Sequence, residues 1–341
     1  MIEADKVSEE QLLADARGGD EAAFERLVAR HRGELHAHCY RMLGSVQDAE
    51  DALQEALLGA WSGLAGFEGR SSLRTWLFRV ATNACLRLSS RRPRRMLSFD
   101  HAPARADTRD LGEPVAGPVW LEPWPGDPAA AEPDPATAYL RRESVELAFV
   151  AALQHLPATQ RAVLILRDVL GFTAVEVAAI LDTTPASVNS AMQRARAAVQ
   201  QRVPDRTQQA ELTALGPDGR RDLVDAFVTA WERADIPALL DLLTEDARFT
   251  MPPLPAWFDG RKDVARFFAE RMFATPWRVR PITANAQPAL ACYQGDGERF
   301  QLSSIAVLSL RAGRVSWIAG FVDPALLHHF AVPADRSRED R

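Results

Sequence analysis

The sequence predicts a multidomain protein: two all-α domains, one a helical bundle and one a helix-turn-helix, joined by an acidic Pro-rich linker and followed by a C-terminal α+β domain. Three observations predict it. With 341 residues, 47% of them hydrophobic, the chain has material for more than one packed core. Residues 8–97 and 138–203 carry apolar side chains at helical spacing, with a proline-rich acidic stretch at 98–137 between them. From about residue 219 to 332, after a short polar bridge at 204–218, helical stretches give way to alternating, β-rich ones.

In the first block, Ser8 with Gln11 reads as a helix start, Asp20 can cap AAFERLVARHRGELHAHCYRML, and Gly44 stops that run. Asp48 opens DAEDALQEALLGAW, where Ala49, Ala52, Leu53, Ala56 and Leu57 recur on one helical face. After the loop GFEGRSS a further helix is expected over about Leu73 to Leu88. The linker contains eight prolines between Pro103 and Pro135, and its eight acids face only Arg105 and Arg109, so an extended chain is expected. Its segment WLEPWP places Trp120 and Trp124 among polar neighbours. They are either incidental or anchors onto an adjacent domain.

In the third block Thr173 and Glu176 form a capping box opening TAVEVAAIL, and Thr184 with Pro185 opens a second helix after a short turn. Val177, Ile180 and Leu181 can face Val188 and Met192, which predicts a helix-turn-helix. Its outward row is Ser187, Asn189, Ser190, Gln193, Arg194 and Arg196. Asn and Gln can bond adenine, Arg can bond guanine, and Ser and Arg can hold phosphate. A plain helical hairpin with a solvated face is the alternative. In the last block helices are expected at RRDLVDAFVTAWERAD and DVARFFAERMF. Antiparallel strands should follow at WRVRPITANA, ALACYQ, FQLSSIAVLSL and RVSWIAGF, with hairpin turns at GDGE and RAGR.

The formal net charge is -6, yet Arg87, Arg91, Arg92, Arg94 and Arg95 fall within nine residues, a phosphate-binding footprint that the total conceals. The odd, scattered cysteines Cys39, Cys85 and Cys292 read as reduced core thiols. Neither a secretory leader nor a run of eighteen apolar residues is visible, so a cytoplasmic protein without membrane association is expected.

DAEDALQEALLGAW, FEGRSSLRTWLFRVATNACLRLSSRR and LQHLPATQRAVLILRDVLGFTAVEVAAILDTTPASVNSAMQRAR, in this order, resemble the extracytoplasmic-function group of the bacterial sigma-70 family. The resemblance implies that residues 8–97 bind core RNA polymerase and the −10 element, and that 138–203 read the −35 element. Polymerase contacts would be the β′ clamp helices and the β flap, with Asp48, Asp51, Gln54 and Glu55 facing the clamp. For −10 binding and melting it points to Phe67, Arg70, Ser71, Arg74 and Trp76, then Asn83, Arg87, Arg91 and Arg92. Aromatic, small polar and arginine groups together suit unstacked bases.

The last block, with WFDGRKDVARFF and WIAGFVDPALLHHFAVP, resembles the SnoaL-like, NTF2-like superfamily of pocket-enclosing cones. The whole thus looks like sigma subgroups with a fused SnoaL-like domain, the SigG or SigJ type. A regulatory pocket or interface is expected at Trp120, Trp124, Trp257, Phe258, Trp317 and Asp323, with an unidentified small ligand as a further partner. Residues 219–327 hold no histidine and only Tyr293 as a tyrosine, which disfavours enolisation chemistry. No catalytic residue, metal ligand or cofactor is expected. A ligand-sensing DNA-binding regulator and a cyclase-like enzyme fused to DNA-binding helices remain the alternatives.

Overall fold

The computed structural model describes residues 8–129, 132 and 134–337, so the leader reading at residues 1–7 and Pro133 of the linker lie outside the described residues. The helices are α1 (Glu9–Arg17), α2 (Glu21–Leu43), α3 (Val46–Gly63), α4 (Leu73–Ser89), the single turn α5 (Ser98–His101), α6 (Pro135–Glu143) and α7 (Leu147–Gln154). Next come α8 (Ala158–Leu164), α9 (Ala174–Ile180), α10 (Pro185–Gln200), α11 (Gln208–Glu232) and α12 (Ile236–Asp241). Strands β1 (Leu243–Thr250) and β2 (Trp257–Asp259) precede α13 (Arg261–Glu270). Then follow β3 (Trp277–Ala284), β4 (Gln287–Gly295), β5 (Arg299–Arg311), β6 (Arg314–Phe321), α14 (Pro324–Leu327) and β7 (Asp335–Ser337). One compact unit holds the described residues up to Arg92 together with Leu156–Ala198, and a second holds Pro93–His155 and the chain from Val199 onward.

In the first unit the expected caps form. Ser8 accepts from the Gln11 amide, Asp20 accepts from the Ala23 amide, and Gly44 ends α2 in the left-handed region at φ 67°. The start of α3 differs from expectation: Ser45, extended at φ -142°, caps it and accepts from the Asp48 amide at 3.1 Å. The serine oxygen reaches the third helical amide, so Asp48 is an interior first-turn residue and is buried. Ala49, Ala52, Leu53 and Ala56 are buried as the spacing requires. In the same unit α8 and α9 pack on α2 and α4. Arg161 donates to the Met42 carbonyl, and the Phe172 and Phe78 rings meet edge to face at 5.3 Å.

In the second unit the sheet order is β2-β1-β6-β5-β4-β3, with β7 on β5. The expectation of an antiparallel sheet needs one correction, because β1 pairs β6 in parallel and the sheet is mixed. The intervening chain holds β2 to β5, so no hairpin constrains the direction of that pair. The hairpin turn expected at RAGR forms: it places Ala312 and Gly313 at φ 51° and 74°, the primed geometry of a two-residue hairpin. Inside the curved sheet, under α11 and α13, aromatic rings fill the cone: Phe258 stacks on Phe267 at 4.5 Å, and Trp231 meets Phe268 at 5.5 Å.

Along much of β4, β5 and β6 the opposite face of the sheet is buried as well, and the acidic linker helps cover it. Gly126 donates to the Thr283 carbonyl at 2.9 Å, the Trp257 indole donates to the Ala102 carbonyl at 2.7 Å, and Phe99 meets Trp317 at 5.7 Å. Asn285 is a clamp: its carbonyl accepts from the Trp124 amide at 2.9 Å, and its amide donates to the Val145 carbonyl at 2.7 Å. The segment expected to run extended and solvated is thus packed on the α+β domain. Thr108 donates to Glu270 there, Glu122 and Asp127 pair with Arg95 and Arg142, and the two tryptophans are buried.

Candidate nucleic-acid interface

Two helices build the predicted reading head. Thr173 caps α9 and accepts from the Glu176 amide at 3.2 Å, while Glu176 accepts from the Thr173 amide at 2.8 Å; those bonds hold the Glu176 carboxyl below its usual range. Asp182 takes the turn at φ 51°, and Thr184 caps α10 by accepting from the Ser187 amide at 3.2 Å. Val188, Ala191, Met192 and Ala195 are buried, which turns Asn189, Ser190, Gln193 and Arg194 outward and exposed. Ser187 is exposed but shares its hydroxyl with Thr184 at 2.9 Å. Arg196 is exposed and paired with Asp168 at 2.5 Å, which raises its pKa. An exposed polar row on one side and a packed row on the other is the arrangement that base reading demands.

The helical bundle carries the other predicted contacts, and the structure separates them into three groups. Arg70, Ser71, Arg87, Arg91 and Arg92 are exposed. Phe67 is buried against the half-buried Trp76 at 5.1 Å, and Asn83 is half-buried. Arg74 differs most from expectation. Its guanidinium lies 4.4 Å from the Phe172 ring and 5.1 Å from Phe78, pairs with Glu34 at 2.7 Å, and donates to the Leu170 carbonyl at 3.2 Å. In this state Arg74 fastens α4 to the segment before α9.

On α3, Asp51, Gln54 and Glu55 are exposed, whereas Asp48 is 4% exposed and lies 3.6 Å from Arg92. Glu55 pairs with Arg87 at 2.7 Å, so acids assigned to polymerase and arginines assigned to DNA share one surface. Leu58 was missed. It is 69% exposed and sits one turn beyond Gln54 and Glu55, and its off-phase position on the helical wheel was the available signal.

The arginine run also needs correction. Arg95 is buried, donating to the Trp120 carbonyl at 3.1 Å and pairing with Glu122 at 3.3 Å, so it secures the linker and is not part of a phosphate surface. Arg94 approaches the His155 ring at 3.0 Å. Of the residues expected at a regulatory pocket, Trp120, Trp124, Trp257 and Trp317 lie on the linker-covered side. The Trp317 indole donates to the Thr250 hydroxyl at 3.0 Å. Phe258 instead belongs to the aromatic interior, because alternation along β2 turns it to the other side of the sheet from Trp257. Asp323 caps α14, accepting from the Ala325 amide at 2.9 Å. Cys39, Cys85 and Cys292 are buried free thiols, and burial pushes Cys292 up to about 12. Among the described residues no cluster suited to a metal ion is found, and no helix is long and apolar enough to cross a membrane.

A helix-turn-helix with a free polar row, a bundle with an acid-and-arginine face and a fused α+β domain together define a multidomain transcription protein. Family models match Sigma-70 region 2 at residues 27–95, Sigma-70 region 4 at 146–199 and a SnoaL-like domain at 224–318. The chain is 42% identical to the ECF RNA polymerase sigma factor SigG of Mycobacterium tuberculosis over 336 residues, covering 94% of this chain and 86% of that one. It is also 26% identical over 306 residues to the probable ECF sigma factor SigI of the same organism. The crystal structure of Mycobacterium tuberculosis SigJ shares the fold at a TM-score of 0.56 and 22% identity, covering 89% of this chain and 97% of that one. The chain belongs to the extracytoplasmic-function sigma factors of the sigma-70 family. Sigma factors serve transcription initiation and are not enzymes; here a SnoaL-like domain is fused behind the two sigma regions.

Proposed function

We propose that the chain binds core RNA polymerase in the cytoplasm and directs it to promoters by reading a −35 element with α10 and a −10 element with the α4 side of the bundle. The observation that carries this reading is the exposed row Asn189, Ser190, Gln193 and Arg194 on a helix whose other side is locked by Val188, Met192 and Ala195. Asp51, Gln54 and Glu55, with Leu58 among them, meet the β′ clamp helices, and α9 and its neighbours meet the β flap. Arg87, Arg91 and Arg92 take phosphates, while Phe67, Trp76 and Asn83 support the melted strand once Arg74 leaves its cradle. The SnoaL-like domain regulates the two readers through the linker that it holds.

Purified protein added to core polymerase on a duplex template should yield initiation at a defined start site, with neither component sufficient alone. Absence of specific initiation with core, or tight sequence-specific duplex binding without it, would sink the sigma reading in favour of a stand-alone regulator.

A further inference from the structure

The aromatic interior of the cone is filled, but a second space opens on the other side of its sheet. Its volume is about 660 Å³. Small-molecule sites commonly measure roughly 300–1,000 Å³. Along β1, Ala247 and Phe249 point into the core, so Asp246 and Arg248 point into this space; along β6, Ile318 points inward and Trp317 outward. It is built wholly from the second unit, by the linker turn at Leu97–Asp100, α7, the start of α11 and the sheet.

Two kinds of surface meet in it. The apolar part is the Trp317 ring beside Phe99, with Ala148, Ala151 and Ala152 opposite, one face of α7 whose small side chains leave room for a flat body. The polar part is a rim of exposed arginines, Arg206, Arg248 and Arg311. A guanidinium carries about five N–H donors. Arg311 donates to Asp246, Arg248 to Asp259 at 3.3 Å, and Arg206 to the Ala210 carbonyl at 3.4 Å with Glu211 at 3.5 Å. Most of their donors therefore remain for another acceptor.

Four acids line the cavity against four arginines, Arg202 included; three of those acids, Asp246, Glu211 and Asp100, already serve the fold, and the fourth, Asp205, is exposed. Asp246 is held by Arg311, and its carboxyl is lowered by that bond. Glu211 accepts from the Ala312 amide at 2.9 Å, and Asp100 accepts from the Leu97 amide at 3.2 Å and faces His155 at 3.3 Å.

We propose that this cavity binds an amphipathic organic anion, its flat apolar body against Trp317, Phe99 and the α7 alanines and its carboxylate, sulfonate or phosphate group held by the arginine rim. The chain passes from one unit to the other at three places: Arg92 to Pro93, His155 to Leu156 and Ala198 to Val199. His155 lines the cavity, and Leu97 and Arg202, also in its lining, follow within a few residues of the other two crossings. The cavity lining therefore lies close in sequence to all three crossings.

The test uses the full chain and the fluorescent sulfonate 1-anilinonaphthalene-8-sulfonate, with the neutral N-phenyl-1-naphthylamine as its uncharged counterpart. The sulfonate is expected to bind a single class of site about tenfold more tightly than the amine, the effect of one charge-assisted anchor. The double variant Arg206→Ala, Arg311→Ala, both exposed positions, should lose about that tenfold for the sulfonate while its amine affinity stays within about twofold. Ala151→Trp, which fills the apolar end, should remove both probes while leaving the circular-dichroism melt cooperative; if it does not fold, the arginine variant decides alone. Equal affinity for the two probes, or full sulfonate affinity in the arginine variant, overturns the proposal.

Discussion

Asn285 shows how much one residue can carry in this chain. It sits at φ 53°, fully buried, in the turn between β3 and β4, a conformation that asparagine tolerates better than most residues. Its side chain joins the Trp124 amide to the Val145 carbonyl, and its own amide donates to the Trp124 carbonyl at 2.8 Å, so the linker and the approach to α7 are tied to one turn. Asn285→Ala removes both side-chain bonds, strands a buried donor and a buried acceptor, and leaves alanine in a left-handed conformation. A loss of about 2–4 kcal/mol is expected. Thermal denaturation followed at the tryptophans should show a lower transition, and limited proteolysis should open the chain within 97–129; an unchanged digestion pattern would mean the linker is held elsewhere. On α10 the corresponding residue is Asn189, exposed and clear of the packed side. Asn189→Ala should weaken holoenzyme binding to a preferred −35 sequence by about 1–3 kcal/mol and relax choice at one base pair. Equal weakening on every sequence would make it a phosphate contact.

At the scale of elements, the start of α11 hangs on a buried carboxylate. Glu146 accepts from the Gln208 and Gln209 amides at 2.9 and 2.8 Å, and Glu143 lies nearby, bonded to the Thr207 hydroxyl at 2.6 Å. Burial dominates, and it raises the Glu146 pKa from its ordinary 4.5 to about 7 against the opposing pull of those amides. The native state therefore keeps this proton over a window in which the unfolded chain has released it. The stability so contributed is fully present below about pH 4.5 and is lost as pH rises through about 7. Glu146→Gln keeps one acceptor and removes the titration, so the fall in melting temperature of this unit between those pH values should flatten. An unchanged slope would assign the effect to another group.

Elements whose determinants are local were legible in the sequence: the caps at Ser8, Asp20, Thr173 and Thr184, the β5–β6 turn and the outward row of α10. What was hidden depends on partners far along the chain. The acids of the linker looked solvated because Arg95, Arg141 and Arg142, which pair with Glu122, Glu132 and Asp127, stand before or after it. Strand β1 was missed because its burial alternates only in part. Arg74 read as a DNA contact because sequence spacing does not reveal that Phe172 supplies a ring for it.

For the whole molecule, the linker's attachment decides what truncation can mean. Trp120, Leu121 and Trp124 are buried in a unit whose sheet lies entirely after residue 242. A chain ending at residue 204 keeps these side chains and loses the strands that help cover them. An aromatic side chain buries about 150–250 Å² of surface, worth roughly 4–6 kcal/mol at about 25 cal/mol per Å². That surface cannot remain in water without finding another partner. The truncated chain is therefore expected to self-associate in gel filtration at concentrations where the full chain is monodisperse, and to be cleaved readily between residues 97 and 129. Replacing Trp120 and Trp124 with serine in the truncated chain should restore a single species. Promoter output from that repaired truncation, compared with the full chain at equal core polymerase, then isolates the SnoaL-like domain's regulatory effect from the loss of its folding support. Equal output from the two would leave that domain a cover for the linker and nothing more.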